Sequence, residues 1–179
     1  MNQPPRPRVF ISSVMRDYAA TREAAARGIQ NAGAEPVRVE DFPSLATSSR
    51  TACLDGVASS DALVLLLGAR YGWVSPSGVS ATEEEYQEAR QRQMRVFVFV
   101  QEVEEETREE EQRRFIRRVE DYVHGHFRST FTSSTDLETL VENAVREADL
   151  MMTGNTPAAS KAIAQAFVNR PPKTSGLTW

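Results

Sequence analysis

Three consecutive carboxylates, Glu83, Glu84 and Glu85, follow Ser80, Ala81 and Thr82 and precede Tyr86. The run reads as a helix start. Ser80 is a good N-cap, and Glu83 three residues on completes a capping box. Acidic residues in a first turn also suit the positive end of the helix dipole. That account covers Glu83 and Glu84. Glu85 is different, because Tyr86 and Ala89 form a short apolar stripe and Glu85 borders it with Thr82. A carboxylate at the edge of a buried face can do chemistry on a sugar. It can attack, or stabilise, the oxocarbenium-like centre formed when an N-glycosidic bond breaks. Such a site must be partly dry and needs a ribose-orienting neighbour and an aromatic to stack the base. Thr82 and Glu85 put a hydroxyl and a carboxylate on one helical face. Tyr71 and Trp73 could stack a base. Arg70 could hold a phosphate bidentately, and the helix start at Ser80 could receive one too. Each residue also has a purely structural role open to it. Glu85 then lies on a solvated helix start, and Tyr71 and Trp73 plug their loop against the core. Arg70 pairs with Glu83 or Asp41, and Ser12 and Ser13 cap the first helix.

Other chemistries find little support. The sequence has no phosphate-cradling Gly-x4-Gly-Lys-Ser/Thr loop and no Gly-x-Gly-x-x-Gly. Its only histidines, His124 and His126, lie two apart at the end of a charged helix with no Cys pair near, which argues against zinc. Their position suits a helix C-terminus. The single Cys53 rules out a disulfide framework. Beside Leu54 and Val57 it reads as a small buried apolar residue rather than a nucleophile. The net charge is −4 and Arg is interleaved with Glu, so no clustered positive field for nucleic acid is expected. No apolar run approaches the roughly 18 residues of a membrane span, and the N-terminus lacks an apolar signal core. A cytoplasmic protein without membrane contact, metal or bound cofactor is the expectation.

The elements that must position these residues follow from pattern. Residues 1–7 form a Pro-rich leader, expected to be disordered. Arg8–Ser12 is a buried strand. Val14, Tyr18, Ala25, Ile29 and Ala32 recur at helical spacing up to Gly33. Glu35–Val39 is a second strand, and Arg50–Ser60 a helix with Cys53, Leu54 and Val57 inward. Asp61–Leu67 is an unbroken apolar run, hence a central strand covered on both faces. A long loop, Gly68–Val79, leads to a helix over Ala81–Gln93 and a strand over Arg95–Gln101. Thr107-x-x-Glu110 opens a charged helix to about Gly125, with Phe115, Val119, Tyr122 and Val123 inward. Phe127–Thr132 is a polar edge strand. Thr135-x-x-Glu138 caps a last helix. Five strand–helix repeats predict an α/β three-layer sandwich around a five-stranded parallel sheet, in flavodoxin-like order 2-1-3-4-5. The α/β domain is placed at residues 8–150. Residues 151–179 read as a linker and tail with a short helix over Pro157–Val168. Sites in such sheets lie beyond the carboxyl ends of the strands, at the switch between the first and third. That rule gathers Ser12, Ser13, Asp41, Gly68, Arg70, Tyr71, Ser80 and Thr82 around Glu85.

Several motifs then carry a family resemblance. They are Val9-Phe-Ile-Ser-Ser13, the Asp17 and Arg22-Glu23 stretch, Glu40-x-Phe42-Pro43, Gly68-x-Arg-Tyr-Gly72, and Gly78-x-Ser-x-Thr-Glu-x-Glu-Tyr86 with Ala89. Together, over roughly Arg8 to Val100, they resemble the family called domain of unknown function 4062. That family looks like a relative of TIR domains and of nucleoside deoxyribosyltransferases. The latter have a Thr three before the catalytic Glu and an Ala four after it, which Thr82, Glu85 and Ala89 match. The resemblance therefore implies Glu85 as the catalytic acid. In two places the chain departs from the pattern. Gln87 stands where a small residue is usual, and Ser80 or Gly78 replaces an earlier acidic partner. TIR-like domains include NAD-cleaving enzymes and assembly modules, and members of this family stand ahead of signalling NTPase domains in larger defence or scaffolding proteins.

Two functions follow as expectations. The first is a TIR-like effector that binds a nucleotide and cleaves the N-glycosidic bond of NAD or a nucleoside, as hydrolase or transferase. The second is a non-catalytic module that self-associates into a homo-oligomer or docks on an NTPase domain, through a patch of Trp73, Val74 and Val79.

Overall fold

A computed structural model describes residues 6–43, 46–121 and 125–153. The chain divides into two units, residues 1–146 and 147–179, and the site lies wholly within the first. The expectations for the leader before Arg6 and the short helix over Pro157–Val168 lie outside the described residues, as do Tyr122, Val123 and His124.

The sheet is all parallel. β1 (Arg8–Ser12) is flanked by β2 (Glu35–Val37) and β3 (Ala62–Leu67), and β4 (Arg95–Gln101) and β5 (Arg128–Phe131) continue outward from β3. The order is 2-1-3-4-5, as the repeat of strands and helices predicts. α1 (Ala19–Asn31), α2 (Ser49–Ala58), α3 (Ala81–Gln91), α4 (Glu110–Val119) and α5 (Ser134–Thr153) alternate with the strands. All six residues of β3 are buried. Alternate strand side chains feed two cores, because successive Cβ atoms point to opposite faces. Val9, Ile11, Val64, Leu66 and Phe99 meet Ala25 and Ile29 of α1 and Leu137, Val141 and Val145 of α5. Phe10, Leu63, Leu65, Leu67, Val98 and Val100 meet Val57 of α2, Tyr86 and Ala89 of α3, and Phe115, Ile116 and Val119 of α4. The result is helix, sheet, helix in three layers.

Local chemistry moves several boundaries. α1 starts at Ala19 rather than near Val14, since neither Ser12 nor Ser13 spends its hydroxyl on capping. Val14–Tyr18 is instead a loop, with Asp17 at φ 63°. β2 stops at Val37, and a 3-10 turn over Val39–Asp41 follows. Thr107 does not open α4. Its hydroxyl donates to the Glu104 carbonyl within another 3-10 turn, and the helix starts two residues after Arg108. α4 then ends at Val119 rather than near Gly125. The cap of α5 is Ser133 rather than Thr135, because the Ser133 hydroxyl accepts the Asp136 N–H at 3.2 Å. Gly68, placed at the site by the sequence, does a packing job. A Cβ there would overlap the Tyr18 hydroxyl, so only Gly lets β3 run out beneath that ring. No helix among the described residues is long and apolar enough to cross a membrane.

Candidate functional site

The first turn of α3 sends its three carboxylates in three directions. The Ser80 hydroxyl accepts the Glu83 N–H at 3.2 Å, as a capping box requires. The reciprocal bond is relayed by Tyr71. Its hydroxyl accepts the Ser80 N–H at 3.2 Å and donates to Glu83 at 2.6 Å. Glu83 then takes both of its close ion contacts from Arg118 of α4, at 2.6 and 2.7 Å. Glu84 turns toward α2, where Arg50 donates at 2.8 Å, and Ser77 of the loop before α3 donates at 2.5 Å. Burial pushes the Glu84 carboxyl up, but the bonds from Ser77, Arg50 and Ser75 outweigh it and hold it below the usual range.

Glu85 has no such cation. It points back under the sheet end, where the Ser12 hydroxyl donates to Oε2 at 2.5 Å. Among the described residues it forms no ion pair within 4.0 Å. Burial drives its carboxyl up to about 7. The Ser12 bond, the positive charge of Arg22 and the Cys53 thiol offset only part of that effect. Cys53 is itself pushed up to about 11, by burial and by the neighbouring carboxylate. It is only half-buried and borders the site, where the sequence places a plain apolar residue.

Arg22 of α1 supports this floor. It is 2% exposed, and its guanidinium clamps Glu40 at 2.9 and 2.6 Å. The remaining nitrogen donates to the Ile11 carbonyl at 3.2 Å and the Ser13 hydroxyl at 2.9 Å. A buried Arg paired with a partly exposed carboxylate, its further donors also used, ties α1, the end of β1 and the turn after β2 together.

These groups surround a cavity of about 490 Å³ at the carboxyl ends of β1 and β3. Ser13, Arg70, Tyr71, Ser80, Thr82 and Glu85 line it. Ser12 stands behind Glu85, fully buried. Two expected members are elsewhere. Asp41 lies outside, held by Arg38 at 2.6 Å, and Gly68 sits under Tyr18. Arg70 pairs with neither Glu83 nor Asp41 but with Asp17, at 3.4 Å. Tyr71 is buried with its edge against Phe115, whereas Trp73 is 73% exposed at the mouth. Glu85 is 6% exposed, deeper than the half-in, half-out position its helical phase suggests. His126 packs edge-on against Tyr86 instead of closing a helix, and burial holds its imidazole below the usual range.

Sequence reasoning missed Arg16, Arg22, Cys53 and Glu109 on the walls, and Glu40 behind them. For Arg22 a signal existed. It falls between Tyr18 and Ala25 in the inward row of α1, where an unpartnered Arg would be costly. A larger, more open depression of about 810 Å³ lies between α3 and α4. The Tyr86 and Phe115 rings line it together with two acids, Glu83 and Asp121, and Glu83 is tied to Arg118.

The family described as Domain of unknown function (DUF4062) matches residues 8–146. A search of curated proteins gives no match. Among solved structures, the CMP N-glycosidase BcmB of Clostridium botulinum is similar at 14% identity and a TM-score of 0.45, covering 80% of this chain and 98% of that one. A conserved protein from Enterococcus faecalis V583 is similar at 12% identity and a TM-score of 0.44, covering 78% and 99%. The flavodiiron protein from Giardia intestinalis gives 12% and 0.44, covering 78% of this chain and 34% of that one. Likenesses this distant carry no information about chemistry.

Proposed function

This chain belongs to the DUF4062 family, and on that premise we propose that its cavity binds a nucleoside or nucleotide and breaks the N-glycosidic bond, with Glu85 as the reacting carboxylate. One observation carries the reading. Of three adjacent buried acids, Glu83 and Glu84 are neutralised by Arg118 and Arg50, while Glu85 is held only by neutral donors and opens into a lined cavity. A structural acid gains nothing from that arrangement, since burying a carboxylate without a cation is costly. A reacting one does, because little solvent has to leave before it meets positive charge.

The sugar C1′ lies against Glu85, and Thr82, one turn earlier on the same wall, meets a ribose hydroxyl. Trp73 at the mouth offers a face for the base. As the C1′–N bond breaks, its electron pair leaves with the base, which takes up a proton from water. Glu85 closes on C1′ to form an ester. Water then attacks C1′, the C1′–O bond breaks, and the carboxylate and a proton are released. In this reading the domain is an effector, with base release as its output.

The test is direct. The protein at high concentration, dispersed and crowded, is incubated with nucleosides, nucleotides and NAD, and free base or nicotinamide is followed by chromatography. Release is expected, falling by about a hundredfold or more in Glu85→Gln. No release from any substrate defeats the proposal. Release unchanged in Glu85→Gln removes Glu85 from it.

A second reading rests on the exposed side chains of Trp73 and Val74, at 73% and 45%. Neighbouring apolar side chains left in water mark association surfaces. Here the domain self-associates through this rim, and light scattering shows a mass that rises with concentration and falls to monomer in Trp73→Ser. A strict monomer at every concentration excludes it.

A further inference from the structure

Three guanidinium groups line the cavity, and they are not equivalent. Arg22 is buried and its donors are spent on Glu40, Ile11 and Ser13. Arg16 and Arg70 stand at the mouth, from the loops after β1 and β3. Arg16 is exposed and has no hydrogen bond or ion pair with any described residue. Arg70 is 50% exposed, and its one ion pair is the 3.4 Å contact with Asp17, itself 68% exposed. An exposed pair at that distance is worth little. The loops thus bring two available guanidiniums over one opening, in a protein whose net charge is −4.

The negative groups facing that opening are accounted for. Glu85 lies deep, on Ser12. Glu109 lines the wall, but its carboxylate accepts the Tyr71 N–H at 2.7 Å. Asp17 is the acid at the rim, and it sits on Arg70. Its φ of 63° is a left-handed backbone that Asp and Asn tolerate and most residues resist. Asp17 occupies, on Arg70, the donor an incoming anion would need.

We infer that the substrate is a nucleoside 5′-monophosphate rather than a free nucleoside, with Arg16 and Arg70 holding its phosphate at the mouth and Asp17 competing for Arg70. This rests on the N-glycosidic reading of Glu85, which puts the sugar at the floor and sends both the base, toward Trp73, and the 5′ group, toward Arg16 and Arg70, to the mouth. Guanidinium matches phosphate in geometry as well as charge. A cavity of about 490 Å³ falls toward the small end of ligand sites, which run from about 300 to 1,000 Å³, and suits one nucleotide better than two.

The test titrates wild type, the Arg16→Ala/Arg70→Ala double variant, Asp17→Asn and Glu85→Gln with uridine, UMP, adenosine, AMP and NAD by calorimetry, at low and high salt. Base release is measured on the same samples. Each monophosphate should bind wild type at least about tenfold more tightly than its nucleoside, with the gap narrowing in salt. The double variant should close the gap, Glu85→Gln should keep it, and Asp17→Asn should widen it several-fold. Equal binding of nucleoside and monophosphate, or a gap that survives the double variant, overturns the inference. NAD binding more tightly than AMP overturns the assignment to a mononucleotide. Base release from nucleoside and monophosphate with equal efficiency removes the phosphate anchor and leaves the glycosidic reading intact. A phosphate-dependent gap with no base release does the reverse.

Discussion

Replacing Glu85 by Gln should make the domain more stable at neutral and alkaline pH, although it removes the group that the proposed reaction needs. The size of the effect follows from where the carboxylate sits. Its titration moves from an ordinary 4.5 to about 7, with burial as the main cause. Below about pH 4.5 the acid is protonated in the folded and unfolded chains alike, and wild type and variant differ only in packing. Between about 4.5 and 7 the unfolded chain loses its proton while the folded one keeps it, so wild-type stability falls as pH rises. Above that window both forms are ionised and the deficit is constant, at roughly 3 kcal/mol. Gln never ionises, and its side-chain oxygen can still accept from Ser12. The variant's advantage should therefore be near zero at pH 4.5 and reach roughly 2–3 kcal/mol by pH 8, or a Tm higher by about 5–10 °C in a domain of this size. Urea melts of both proteins at half-unit steps from pH 4.5 to 8.5 measure it. Glu83→Gln and Glu84→Gln, which lose ion pairs with Arg118 and Arg50, should be destabilised over the same range. A Glu85→Gln variant that is less stable than wild type at pH 8, or whose advantage does not change with pH, refutes the picture of an unpaired buried acid.

Further expectations can be checked with the same few proteins. If Glu85 reacts as a carboxylate, kcat/KM for base release should rise with pH, reach half its maximum near 7 and level off above, and a fall across that range would assign it an acid's role. Arg118→Ala strands Glu83, which is 4% exposed and whose carboxylate keeps only its bonds from Tyr71 and Gln87, and chemical unfolding should show a loss of roughly 1–3 kcal/mol. Gly68→Ala forces a methyl into the Tyr18 hydroxyl and should cost roughly 1–3 kcal/mol in the same melts. Arg22→Met leaves the 31%-exposed Glu40 without its clamp and Ser13 without its donor, and should cost roughly 1–3 kcal/mol.

The fold was legible because two simple signals agree. The unbroken apolar runs at Ala62–Leu67 and Val96–Val100 read as strands, the first buried at every position and the second at its last three, and each is followed by an amphipathic stretch that can cover them. Parallel pairing and right-handed crossovers then leave few topologies. What was not legible was how polar side chains near the strand ends choose partners. Ser12 and Ser13 read as ordinary helix caps, yet one hydroxyl reaches Glu85, 73 residues away in sequence, and the other serves Arg22. With those caps gone, α1 starts late and frees Val14–Arg16 to line the cavity. Thr107 and Thr135 failed as box residues for a related reason: a Ser, Thr or Glu pattern states that a cap is available, and nearby carbonyls and hydroxyls decide which residue uses it.

The same limit explains why the site emerged with Glu85 at its centre but with wrong neighbours. Periodicity tells Glu85 from Glu83 and Glu84 by helical phase alone, placing it on the border of the Tyr86–Ala89 stripe. It cannot say that Arg118 and Arg50 would claim the other two, because those arginines come from α4 and α2 and are set by tertiary packing. Asp41 was chosen for lying after β2, but the 3-10 turn over Val39–Asp41 swings it out to Arg38 and presents Glu40 to Arg22 instead. One residue of register in that turn exchanges the acid that faces solvent for the one that anchors the floor. Arg22 in turn stands close enough to moderate the charge on Glu85 without pairing with it, its donors being committed to Glu40, Ile11 and Ser13. A cation held back in this way leaves the carboxylate ionisable near neutral pH and still free to meet a positive centre, which a direct ion pair would prevent.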